Sequence, residues 1–106
     1  MRKLTIKRNK TFVASAAKVL FCIVNNCYPG KPVPQCDCEI LGKVKNGETL
    51  QVEIPETKVT IAAAYDSLGV FMITDVVIIP AGSDDIMLEG KAKLNPAVGN
   101  PFIFKK

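Results

Sequence analysis

Histidine and tryptophan are both absent from this chain of 106 residues. Without histidine it lacks the side chain most used for proton transfer near neutral pH, which is also the commonest metal ligand. Ser–His and Cys–His nucleophilic pairs are excluded within the chain. Aromatic residues make up only 7%, with two tyrosines, so a sugar-stacking cleft for glycoside hydrolysis has little to be built from. No apolar run reaches the length of a membrane-spanning helix. There is no glycine-rich phosphate loop followed by a lysine. The aromatic and basic interleaving of oligonucleotide-binding surfaces is missing too. Amphipathic helices, internal repeats and low-complexity segments are all lacking.

What is present is apolar and β-forming. Apolar residues make up 48%, enough to exclude a disordered chain. The length fits one domain, residues 1–106, able to fold without metal or disulfides. Its core must draw mainly on Val, Ile, Leu and Ala, with five Phe.

Charge is unevenly distributed along the sequence. Residues 1–18 hold Arg2, Lys3, Lys7, Arg8, Lys10 and Lys18 and no acid, although the net charge is only +4. Leu4-Thr5-Ile6-Lys7 alternates, with Leu4 and Ile6 facing one way and Lys3, Thr5 and Lys7 the other. This segment reads as an edge strand whose lysines discourage edge-to-edge pairing. Its functional reading is an anion-binding site of Lys3, Lys7, Arg8 and Lys10 for nucleic acid or another anionic surface.

The four cysteines are Cys22, Cys27, Cys36 and Cys38. Their spacing lacks the paired Cys-x-x-Cys knuckles of structural zinc sites. Cys36 and Cys38 would share one strand face about 7 Å apart. Cys22 and Cys38 read as small core residues. A Cys27–Cys36 disulfide would close the proline-rich loop between them, but the chain is read as cytoplasmic with reduced thiols. The basic start followed by Thr11 to Val24 has the outline of a signal peptide. Lys18 interrupts the apolar part, however, and no small-residue cleavage site follows Val24. Asp66, Asp75, Asp84 and Asp85 lack the dense pattern of a calcium loop. No metal, cofactor or catalytic residue is nominated.

Turn signals punctuate the whole chain. Val19 to Val24 is a continuous apolar run of strand length, expected to be buried on both faces, with Phe21 and Ile23 sharing one of them. Asn25 to Pro34 carries Pro29-Gly30, Pro32 and Pro34 and reads as an exposed loop. Further strands are expected at Cys36–Leu41, Leu50–Ile54, Val59–Tyr65, Ile86–Leu88 and Phe102–Phe104, with one or two more in Val70–Ile79. Thr74-Asp75 marks a bulge or bend. Pro55–Lys58 has the length of a hairpin connection. Phe12 to Ala17 fits either a strand or a helical turn. Seven to nine short strands at spacings of roughly 8–12 residues predict an all-β, two-sheet antiparallel sandwich.

Lys45-Asn46-Gly47-Glu48, the strand ending Val52-Glu53-Ile54-Pro55, and Val59 to Ala63 together resemble the small PEGA-type β-sandwich domains of bacterial proteins. The resemblance covers roughly residues 18 to 65; the Pro-Glu-Gly-Ala stretch of the family is missing. It implies a non-catalytic accessory or surface-interaction module and assigns no site residues. The functional expectation is accordingly a non-catalytic module that binds a protein partner or forms a homo-oligomer. Nucleic-acid binding through the basic N-terminal strand is the alternative.

Overall fold

A computed structural model describes residues 1–10, 18–25, 27–67, 69–92 and 102–105. These residues form eight strands: β1 (Arg2–Arg8), β2 (Val19–Asn25), β3 (Asp37–Val44), β4 (Thr49–Ile54), β5 (Val59–Ser67), β6 (Val70–Ile79), β7 (Ile86–Ala92) and β8 (Phe102–Phe104). They build two four-stranded sheets. The first has the order β4-β1-β7-β8 and the second β3-β2-β5-β6. The expected two-sheet sandwich is therefore observed. Phe12 to Ala17 and the loop Asn95 to Pro101 lie outside the described residues.

The N-terminal strand is not at an edge. β1 pairs antiparallel with β4 and parallel with β7, the one parallel pair among the described strands. Its alternation is as expected, with Leu4 and Ile6 buried and Lys3 and Lys7 exposed. The edge expectation fails because partners some fifty and eighty positions away are invisible to local pattern.

The sheets enclose a core of Leu4, Ile6, Val19, Phe21, Ile54 and Ile61, joined by Phe102 and Phe104. Phe21 and Phe104 each stand within 6.0 Å of a neighbouring ring, and Phe102 meets both edge-on, an arrangement favoured by the ring quadrupoles. Gly90 in β7 makes room for this group: a Cβ there would collide with the Ile103 carbonyl and the Phe102 ring. Phe21 is fully buried, whereas Ile23 is only partly so.

Both ends of β1 turn an arginine inward. Arg2 donates to the carbonyls of Pro55, Thr57 and Pro80 at 3.2, 3.1 and 2.9 Å. It thereby ties the β4–β5 and β6–β7 connections to the strand. Arg8 is 1% exposed and donates to the Val44 carbonyl at 2.9 Å. Burial pulls its guanidinium below the usual value.

Tight connections carry the chain between sheets. At Lys45–Glu48 the Glu48 amide donates to the Lys45 carbonyl at 3.0 Å, and Gly47 takes φ +81°, which suits a residue without a Cβ. Pro55–Lys58 is a crossover as well, since β4 and β5 lie in different sheets. Val70–Ile79 is one strand, bulged at Thr74 where its register with β5 shifts. The bulge serves the seam between sheets. Thr74 Oγ1 donates to the Phe102 carbonyl at 2.7 Å, and Phe104 donates its amide to Asp75 Oδ2 at 3.0 Å.

Candidate interaction face

The longest connection with a described course runs from β2 to β3, and it shapes the outer face of the second sheet. Alternation along β2 and β5 sends Leu20, Cys22, Val24, Ala62 and Ala64 to that face. There they form a second apolar cluster with Ile73 and Val33. A sheet face so apolar is costly to leave wet. The connection folds back as a strap that covers it.

The strap first reaches the free edge of β6. Gly30 donates its amide to the Ile73 carbonyl at 2.7 Å, and Ile73 donates to the Lys31 carbonyl at 2.9 Å. Pro32 and Met72 form an isolated bridge there. A 3-10 turn, Val33–Gln35, then drops Val33 onto the cluster. Prolines suit this path because the strap needs few amide donors.

Cys27 and Cys36 are joined in a disulfide, with Cα atoms 5.9 Å apart. One expectation is corrected here: the thiols of Cys27 and Cys36 are oxidised. The proline-rich segment is exposed as expected at Tyr28, Pro29, Gly30 and Pro34, but it also anchors to β6 and buries Val33. The physical reason is the apolar outer face beneath it, which local composition around the prolines does not reveal.

The strap leaves part of the face open. A groove of about 240 Å³ lies between it and the sheet, lined by Leu20, Val33, Pro34, Ile40, Lys43, Gly69, Val70 and Phe71. The Lys43 ammonium sits 5.3 Å over the Phe71 ring, a cation–π contact. Ile40 is 62% exposed, Tyr28 on the strap 61% and Ile78 on β6 58%. Alternation on β3 had already placed Cys38 and Ile40 together. Tyr28 carried no sequence signal, since its exposure follows from the course of the strap.

The outer face of the first sheet is different in kind. Lys3 stands opposite Glu53 and Lys7 opposite Glu89. The Lys3 amide donates to Asp85 Oδ1 at 2.9 Å. Lys105 pairs with Glu89 at 3.4 Å. A hydrogen bond from Asn9 and the charges of Lys105 and Lys7 hold the Glu89 carboxyl below its usual range. Of the four residues nominated for anion binding, Lys3, Lys7 and Lys10 are exposed and Arg8 is buried. The structure therefore does not bring the four to one surface. Carboxylates of β4, β7 and the β6–β7 connection interleave with the two lysines of β1.

A second cleft, about 540 Å³, opens at the sheet seam beside Asn9, Asp75, Gly90, Lys91, Ile103, Phe104 and Lys105. Its buried carboxylate is committed to structure, because Asp75 accepts from the Val76 and Phe104 amides. Among the described residues, no group of three His, Cys, Asp or Glu side chains is placed to hold a metal ion. No helix there is long and apolar enough to cross a membrane.

No family model, curated protein or solved structure matches this chain. The functional reading rests on its own surface.

Proposed function

We propose that this chain is a non-catalytic protein-interaction module that binds through the strapped outer face of its second sheet, with a second copy of the chain as its partner. One observation carries the reading. Ile40 and Val70 are large apolar residues exposed at the apolar groove, with Tyr28 exposed on the strap and Ile78 exposed on β6, while the opposite face sets interleaved charges around a single exposed large apolar strand residue, Met87. Contiguous apolar surface rimmed by polar residues is the usual mark of a protein contact. A two-fold dimer would present this patch of one copy to the same patch of the other. The resemblance to PEGA-type modules points the same way. The disulfide favours an oxidising compartment over the cytoplasmic one expected from sequence.

Sedimentation velocity over a concentration series tests the reading. The parent is expected to self-associate, Ile40→Glu to stay monomeric, and Met87→Glu on the charged face to behave as the parent. A monomeric parent at every concentration, or loss of association in Met87→Glu alone, overturns it. The nucleic-acid alternative has less support, because Arg8 is buried and carboxylates neighbour Lys3 and Lys7. It would require binding that falls steeply with salt.

A further inference from the structure

The pairing of β2 with β3 sets Cys22 opposite Ile40 and Val24 opposite Cys38. Cys22 and Cys38 are thus diagonal neighbours on the strapped face. Neither is in a disulfide. Cys22 belongs to the apolar cluster of that face, and Cys38 packs against it together with Cys27 and Cys36. Among the described strands β3 ends its sheet, so none of them holds it from its outer side against a small shift towards β2. Diagonal neighbours on paired strands lie about 7–8 Å apart, so a shift of about 1 Å in β3 together with side-chain rotation brings the two sulfurs to bonding geometry.

The two thiols differ in access. Cys22 is fully buried and Cys38 is partly exposed. Burial, and then the neighbouring Cys38, push the Cys22 thiol up to about 12. Cys38 is therefore the sulfur that meets an oxidant first.

We propose that Cys22 and Cys38 are a thiol–disulfide exchange site, which closes a second disulfide across β2 and β3 nested around Cys27–Cys36. The co-reactant is a low-molecular-weight disulfide, RSSR. The Cys38 thiol loses its proton and its sulfur attacks one sulfur of RSSR, expelling RS⁻ and leaving a mixed disulfide on Cys38. The Cys22 thiol then gives up its proton, and its sulfur attacks the Cys38 sulfur. A second RS⁻ leaves as the Cys22–Cys38 bond forms. The two thiolates take up the two protons. In all, two protein thiols are oxidised to one disulfide and RSSR is reduced to two RSH. The new bond fixes edge strand β3, which carries Ile40 into the groove. The inference is independent of the self-association proposed above, because it concerns covalent chemistry within one chain.

The test is to incubate the folded protein with excess oxidised glutathione, quench by alkylation in denaturant, and read intact mass and disulfide-linked peptides. The parent is expected to lose two alkylatable thiols and two hydrogens and to yield a Cys22–Cys38 linked peptide, with Cys27–Cys36 retained. Cys22→Ser is expected to stop at a stable glutathionyl adduct on Cys38, and Cys38→Ser to stay unmodified at Cys22. A parent that keeps both thiols alkylatable overturns the proposal. So does one that accumulates a Cys38 adduct without closure, or one whose linked peptides join Cys38 to Cys27 or Cys36. The parent decides the matter by itself if a buried serine impairs folding.

Discussion

Arg8 has the charge of a surface residue and the position of a core one. Nominated for anion binding, it instead continues the inward row of Leu4 and Ile6, at 1% exposure with the Val44 carbonyl as an acceptor. Arg8→Gln is expected to cost about 1.5–3 kcal/mol, the range for losing a hydrogen bond to a charged group. Lys3→Gln, Lys7→Gln and Lys10→Gln should each stay within about 0.5 kcal/mol, as exposed substitutions do. Urea midpoints of the four variants check the contrast. Cys22 adds a pH dependence. Its thiol is raised from 9.0 to about 12 in the folded chain, so folding favours the neutral form. That contribution is fully present below 9.0 and is lost as pH rises towards about 12. The expected slope is roughly 1.4 kcal/mol per pH unit across that window. Denaturant unfolding of the unoxidised parent and Cys22→Ala measures it; equal slopes in the two proteins would refute the assignment.

At the scale of elements, the strap determines which strands are buried on both faces. β2 and β5 each pack one face into the central core and the other beneath Val33. The alanines of β5 leave room for that close cover. The strap in turn depends on its disulfide, which spans a sequence separation of nine. A loop of that length is stabilised by about 2–3 kcal/mol through closure entropy. Replacing Cys27 and Cys36 by serine should lower stability by that amount and speed hydrogen exchange at the Ile73 amide, which donates to the strap at Lys31. Amides pairing β1 with β4 should keep their ranking among the protected sites. Unchanged protection at Ile73 would mean that packing alone holds the strap.

For the whole molecule, the central place of β1 has the largest consequence. Among the described strands, β4 pairs with β1 alone and β7 with β1 and β8. Arg2 also ties two crossovers to its first turn of alternation. Deleting residues 1–8 is expected to abolish the cooperative fold, seen as loss of strand signal in far-ultraviolet circular dichroism and of chemical-shift dispersion. An edge strand could be removed with its sheet largely intact, so a folded truncation would contradict the central position. Charge follows the same logic. The acid-free start of the chain is basic along the sequence but meets Glu53, Glu89 and Asp85 in space.

Period-two alternation, turn residues and the apolar run at Val19–Val24 were enough to determine an all-β sandwich, most of its strands, and the inward face of β1. The bulge at Thr74-Asp75 was legible for the same reason: each of these is set by neighbours within a few residues. Only the tertiary structure decided that β1 is central, that Pro55–Lys58 is a crossover, that Arg8 is enclosed, and that the proline-rich segment is a disulfide-closed strap over an apolar face. These depend on pairings between distant parts of the chain. Their energies come from the surface each segment finds opposite it, and no local pattern encodes that surface.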